Sequence, residues 1–189
     1  GYVVDTQLNA GELGARGVDV GVNYVYELET AGSLRFDLVG TWLDKLTTTI
    51  GEVKYDCAGL YGAQCGIPSP EWRHTARLTW SSNFGLDLSL AWRYFSSVKV
   101  DTSSKDVDLE GTVYPANEKL GAQSYFDLAA IFNINDSYTL RAGVKNLLDK
   151  EPPVIGGQNL TPVSGSGNTY PQVYDALGRY FYIGGTVNF

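Results

Sequence analysis

The strongest constraint in this sequence is a two-residue alternation of apolar and polar side chains, which recurs along most of the chain. Successive side chains of a β-strand point to opposite faces, so each alternating run predicts a strand with one apolar and one more polar face. Seven such runs occur, and they cover residues 18–28, 34–42, 72–80, 86–94, 126–134, 138–144 and 181–189. We therefore predict an all-β protein with about seven main antiparallel strands.

The connections between these runs alternate between short turns and long segments. The turns near residues 29–32, 81–85 and 135–137 are short, whereas the other connections are long and cover residues 45–71, 96–122 and 148–178. Outer-membrane β-barrels have short periplasmic turns and long extracellular loops, while a soluble sandwich distributes its loop lengths over both ends. The pattern thus favours an antiparallel transmembrane β-barrel whose last strand runs towards the periplasm.

Aromatic side chains recur at a spacing that fits a membrane. Trp72 and Trp80 lie on the same predicted face, eight residues apart. Eight residues at about 3.3 Å each, on a strand tilted by about 40°, rise by about 20 Å, which is close to the apolar band between two aromatic girdles. The opposite faces carry charges, and the turns suggest that Glu27 stands opposite Arg35 and Asp127 opposite Lys145 in a polar interior.

Other classes of protein find little support in the composition. No apolar run approaches the roughly 20 residues that a transmembrane helix needs. The net charge of −7 lacks the basic surface of a nucleic-acid-binding protein, so we expect no nucleic-acid partner. Motifs of serine hydrolases, zinc proteases and phosphate-binding loops are not found, so we expect no catalytic residues and no cofactor. We also expect no metal site, since His74 is isolated and Asp106 and Asp108 suit a solvated loop.

An odd number of strands has a consequence for the domain organisation. Seven antiparallel strands leave two unpaired edges, and lipid cannot satisfy the hydrogen-bonding groups of a strand edge. We therefore expect residues 1–189 to be a single segment of a larger barrel. The alternative is a soluble β-sandwich with one buried face, which shares the alternation.

Two segments near the end of the chain are similar to a known family. AGVKNLLDKEPPV (142–154) and SGNTYPQVYDALGRYFYIGGTVNF (166–189) resemble the C-terminal end of a TonB-dependent outer-membrane receptor. The segments at residues 9–24 and 55–80 also resemble later barrel strands of that family. Receptors of this kind resemble 22-stranded barrels closed by a plug. The resemblance therefore implies the C-terminal third of such a barrel, with the plug and the TonB-engaging segment absent from this chain.

The same resemblance implies a function and a set of partners. Such a receptor binds a scarce ligand, for example a siderophore, vitamin, carbohydrate or peptide, and imports it with energy from TonB. The implied partners are the remainder of the receptor, the TonB complex acting through the plug, the barrel assembly machinery and outer-membrane lipid, in a Gram-negative outer membrane. A passive porin or autotransporter-type barrel and a soluble carbohydrate-binding β-sandwich stay open as alternatives.

Three groups of candidate residues follow. Cys57 and Cys65 lie in a long Gly- and Pro-containing loop, and an oxidising secretion route favours a disulfide worth about 2 to 3 kcal/mol. The aromatic C-terminus, Phe189, with apolar residues Phe181, Ile183 and Val187 at alternate positions, resembles the assembly signal of outer-membrane barrels. Aromatic and amide side chains in the long segments suit contact with a polar ligand, and the candidates are Tyr55, Tyr61, Gln64, Tyr114, Asn117, Asn168 and Tyr170.

Overall fold

The computed structural model describes residues 11–156 and 168–188, and this part of the chain is almost entirely strand and loop. Its helical elements are three single-turn 3-10 helices. The strands are β1 (Gly11–Glu27), β2 (Ser33–Ile50), β3 (Val53–Asp56), β4 (Leu60–Tyr61), β5 (Trp72–Ser81), β6 (Leu86–Phe95), β7 (Val98–Val100), β8 (Lys119–Leu120), β9 (Gln123–Asn133), β10 (Tyr138–Lys145) and β11 (Tyr180–Val187). No helix among the described residues is both long and apolar enough to cross a membrane.

Seven long strands form one antiparallel sheet in the order β1-β2-β5-β6-β9-β10-β11. The short strand β3 pairs with residues 47–50 at the end of β2. Each long strand pairs in antiparallel fashion with the long strands that precede and follow it in the chain. β1 and β11 are the edges of this open sheet, which is what part of a larger barrel presents. The prediction of seven main antiparallel strands is confirmed.

The register brings the main apolar set of each of the seven strands to one common face. Trp42 pairs with Trp72 between β2 and β5, and further along the sheet Leu90 pairs with Leu128. On β10 and β11, Val144 pairs with Phe181. Because a slip of one residue would turn a strand's apolar set to the other side, these pairings align the alternation of each strand with that of its neighbour. We call the two sides the apolar face and the polar face of the sheet.

The predicted cross-strand pair of Glu27 and Arg35 is wrong by two residues. Glu27 pairs with Ser33, and Arg35 pairs with Val25. The turn between β1 and β2 is tighter than that pair requires: the 3-10 helix Glu29–Ala31 and Gly32, with φ 95°, close it within residues 28–32, whereas a pair of Glu27 and Arg35 would need residues 28–34 between its members. Arg35 instead forms an ion pair with Asp37 of its own strand, at 3.3 Å.

The second predicted pair is confirmed. The Lys145 ammonium lies 3.0 Å from a carboxylate oxygen of Asp127, on the polar face of β9 and β10. Polar contacts also join other strands on this face: the Thr41 hydroxyl donates to Asp19 at 2.8 Å. Arg77 donates to the Ser89 hydroxyl at 3.2 Å. The side of the sheet opposite the apolar face is therefore lined with hydrogen-bonded polar groups.

Candidate functional site

The three long connections pack together at one end of the sheet and share a buried core. Most of its members come from the connections themselves, and Tyr125 comes from the end of β9. The members of this group, which we call the loop core, are Tyr61, Val98, Val100, Leu120, Tyr125, Ile155, Tyr170 and Tyr174. Four of them are tyrosines, and burial raises the pKa of the Tyr174 hydroxyl because a phenolate there would be poorly solvated.

A small sheet links the first long connection to the second. β4 and β7 pair in parallel, with Tyr61 opposite Val100, and β7 pairs with β8 in antiparallel fashion. The Tyr61 hydroxyl donates to the backbone carbonyl of Asn117. Its ring lies 6.0 Å from that of Tyr170, edge to face, which brings in the third connection. The loop core therefore combines apolar burial with backbone pairing, and this satisfies polar groups that the packing removes from water.

The predicted disulfide is confirmed. Cys57 and Cys65 are bonded, and their Cα atoms lie 5.4 Å apart. The loop that the bond closes is fastened to the second connection by Asp101, whose buried carboxylate accepts from the backbone N–H groups of Gln64 at 2.7 Å and Cys65 at 3.1 Å. No cation pairs with this carboxylate among the described residues, so backbone N–H groups supply its stabilisation.

The third connection is attached to the polar face by a group of charges. Arg93 of β6 donates to both carboxylate oxygens of Asp127, at 2.9 and 3.0 Å. The same guanidinium donates to Asp175 in the third connection, at 2.9 Å through Nη1. Asp127 also accepts from Lys145 and from the backbone N–H of Asn146, at 3.0 and 2.9 Å. We call Arg93, Asp127, Lys145 and Asp175 the charge cluster, and it joins the strands to the loop above them.

A cleft of about 290 Å³ opens between the polar face and the loops. One side is formed by polar-face residues of β2, β5 and β6, including Thr41, Arg73 and Phe95. Its other side is formed by residues 67–70 of the first long connection and residues 172–173 of the third. We call it the wall cleft. Its lining is mostly apolar, with the Arg73 guanidinium and the Gln172 amide as the largest polar groups.

The seven residues predicted to contact a ligand fall into two groups. Tyr55, Tyr61, Asn117 and Tyr170 are buried, and Tyr61 and Tyr170 belong to the loop core. These side chains stabilise the packed loops, and a ligand could reach them only if the packing opened. Gln64, Tyr114 and Asn168 are exposed, at the surface of the loops. A role in ligand contact stays a prediction for all seven.

The wall cleft was not found by sequence reasoning, because its two sides are far apart in the chain. Arg73 does carry one recognisable feature: it stands on the polar face of a strand next to the aromatic Trp72. What it faces depends on the register and on loops that the alternation does not describe. Only the assembled structure brings Arg73, Ile67 and Val173 to one place.

The remaining candidates lie on the apolar face or in loops. Phe181 and Ile183 are 74% and 76% exposed, and Val187 is also exposed, which suits contact with lipid or assembly factors; Phe189 lies outside the described residues. The proposed assembly role stays a prediction. His74 accepts a hydrogen bond from the Trp72 indole at 2.9 Å and packs between Trp92 and Tyr94, so it is part of an aromatic band. Among the described residues, no group of three potential metal ligands occurs.

Comparison with known proteins places the chain among receptors of one type. The sequence model described as TonB dependent receptor-like, beta-barrel, matches residues 2–147. A mutant of the ferric enterobactin receptor of Pseudomonas aeruginosa is 18% identical over 93% of this chain and 22% of that chain, with a TM-score of 0.60. The siderophore receptor of Acinetobacter baumannii is 19% identical over 95% of this chain and 22% of that chain, with a TM-score of 0.55. No curated protein matches the sequence.

These solved structures show a shared fold at low sequence identity. This chain spans about a fifth of the length of each of them, and the shared part is strand and loop.

Proposed function

Because the chain belongs to the TonB-dependent receptor-like β-barrel family, we propose that it supplies the closing strands and three outer loops of an outer-membrane receptor. The receptor would bind a scarce ligand and import it with energy transmitted from TonB. A plug and a TonB-engaging segment, outside these strands, would complete it. The first candidate ligand is a ferric siderophore, because the solved proteins with this fold are named as ferric enterobactin and siderophore receptors.

One observation carries the membrane part of this proposal: the seven long strands share one apolar face, and the described residues place no second layer on it. Apolar residues of this face are exposed on strands throughout the sheet, including Leu78, Leu90 and Ile183. A soluble protein rarely leaves so large an apolar surface open to water. Lipid would cover this face, whereas the polar face would line a water-filled lumen.

The loops support the receptor part of the proposal. In a water-filled barrel the long loops meet the external medium first, and here they form one packed body instead of separate flexible segments. A body with its own core can hold recognition groups in fixed positions, which lowers the entropic cost of binding. The wall cleft lies directly beneath it, against the lumen-facing side of the strands.

The test is uptake by cells that express the full-length receptor. Radiolabelled iron bound to enterobactin serves as the probe, and matched strains with and without TonB are compared under iron limitation. We expect the receptor in the outer-membrane fraction and accumulation of iron only where TonB is present. Uptake that is equal in both strains would favour a passive porin-type barrel and contradict the proposal. Recovery of the protein in the soluble fraction would favour a sandwich and would contradict the membrane assignment.

A further inference from the structure

Arg73 differs from every other arginine in the part of the chain that the structure describes. Six arginines form an ion pair or a side-chain hydrogen bond, with partners including Asp44, Asp37, Ser89, Asp127, Thr186 and Asp149. Arg73 forms neither with any described residue, although it lies on the same polar face as most of them. A cation without a counter-ion is available to an anion from outside this segment.

The register explains why Arg73 has no partner. Its cross-strand neighbours are Thr41 on β2 and Phe95 on β6, and neither carries a negative charge. The acid nearest in sequence, Glu71, places its carboxylate beside Gly59 in the first long connection. Four residues along the same strand, Arg77 stands opposite Asp37 and donates to Ser89. The polar face thus offers hydrogen-bonding and charged neighbours to Arg77, but among the described residues it offers no ion-pair partner to Arg73 at the wall cleft.

The walls of the wall cleft around Arg73 are mostly apolar and are held in place by other contacts. Phe95 and Val173 pack against the loop core, and Ser69 is hydrogen-bonded to the backbone of the first connection on both sides, at 2.7 and 3.0 Å. A second cleft of about 250 Å³ continues down the polar face and shares Arg73 and Phe95 with the first. The guanidinium therefore lies where two clefts meet. The residues that form the walls of these clefts are already held in place without a ligand.

We propose that Arg73 and the wall cleft bind the anionic group of a ligand whose remaining surface is apolar. The guanidinium would pair with an oxyanion such as a carboxylate or sulfonate, and the apolar body would lie against Phe95 and residues 67–70. Arg73 is exposed, so an incoming anion meets the guanidinium without displacing a protein partner, and a hydrogen bond between two charged groups is stronger than one between neutral groups. This assignment rests on the proposed function, because the cleft lies on a ligand path only if the polar face lines a lumen.

The test uses the full receptor in detergent and two small probes of nearly the same shape. Naphthalene-2-sulfonate carries an anion on an apolar ring system, and naphthalene-2-sulfonamide is its neutral counterpart. Equilibrium dialysis against receptor, corrected with empty micelles, measures both affinities. We expect the sulfonate to bind more tightly than the sulfonamide, and R73Q to weaken sulfonate binding by roughly threefold to tenfold while leaving sulfonamide binding unchanged.

The control is R77Q, which removes the same charge from the same strand and face outside the wall cleft. We expect it to leave both probes unaffected, and the heat-modifiable electrophoretic mobility of each variant confirms that its barrel is folded. Equal binding of the two probes to the unmodified receptor would overturn the inference, and so would equal losses in R73Q and R77Q. The uptake experiment uses neither probe, so a failure here leaves the proposed function standing, whereas TonB-independent uptake contradicts that function separately.

Discussion

At the scale of single residues, Gly143 shows how the polar face is packed. It stands opposite Tyr182 across β10 and β11, and the tyrosine ring lies over the position that a β-carbon of residue 143 would occupy. An aromatic side chain that covers a strand glycine shields backbone that would otherwise be exposed and fixes the pairing of the two strands. The alternation of the sequence shows no reason for a glycine here, since Gly143 occupies an ordinary polar-face position.

We predict that Gly143→Ala destabilises the full receptor by about 0.5 to 1.5 kcal/mol, because the added methyl group forces the Tyr182 ring away from its present rotamer. The midpoint of denaturant unfolding in lipid vesicles measures this effect. Gly21→Ala is the matched control, since a β-carbon at that strand position meets nothing within 4 Å. Adding Tyr182→Ala to Gly143→Ala should cost less than the sum of the two single changes, and strict additivity would show that the ring is not the obstacle.

At the scale of elements, the third long connection is held by its attachment to the strands. Asp175 brings this connection to Arg93, and Arg93 is already fixed by Asp127 on the neighbouring strand. Tyr170 and Tyr174 of the same connection are buried in the loop core. The connection is thus fastened by charge at one point and by apolar burial beside it, so loss of the charge should loosen it without unfolding the barrel.

We predict that Asp175→Asn increases the hydrogen-exchange rate of backbone amides in residues 168–179 by roughly tenfold or more, because a hydrogen-bonded ion pair that is largely shielded from water is lost. Exchange followed by mass spectrometry on the full receptor measures the rate. Asp44→Asn serves as the control, since its pair with Arg16 joins β1 to β2 outside this connection and the Arg16 side chain is largely exposed, so the pair should contribute little. An equal effect of both variants would indicate a general response to lost charge.

At the scale of the whole molecule, the two faces of one sheet are expected to meet different solvents. Leu38 and Val39 are adjacent in β2, and they point to the apolar and the polar face respectively. Both are apolar, so composition alone does not distinguish them. If water covered both faces, Val39 would expose more apolar surface to it than Leu38. In a barrel, Val39 would line the lumen and Leu38 would contact lipid.

We therefore predict opposite tolerance to a charge at these neighbouring positions. Leu38→Arg should destabilise the receptor by about 2 to 4 kcal/mol, as expected for a cation near the middle of a bilayer, and Val39→Arg should cost much less. Unfolding in lipid vesicles measures both values, and the yield of heat-modifiable protein provides a second readout. Similar costs at the two positions, or a larger cost at Val39, would contradict the assignment of the apolar face to lipid.

The strands of the sheet could be predicted from the sequence because the alternation of apolar and polar residues is a pattern within each strand. The alternation around Trp72, Trp92 and Leu140 identifies each strand and its apolar side without knowledge of any partner. The pair of Asp127 and Lys145 was predicted correctly, since the short turn at residues 134–137 between β9 and β10 leaves few possible registers. The predicted pair of Glu27 and Arg35 was wrong because a 3-10 helix closes the turn within residues 28–32, two residues tighter than that pair requires, and the residue pattern did not show this helix.

What the sequence determined by itself is the number of long strands, the two faces, the sorting of loops and the disulfide between Cys57 and Cys65, because each depends on residues close together in the chain. The burial of Tyr61 and Tyr170, and the lack of a counter-ion for Arg73 among the described residues, follow instead from the three-dimensional packing. Both results arise from contacts between connections that are distant in the chain. Alternation determines which side of a strand a residue occupies, and the packing of the loops determines what that residue meets there.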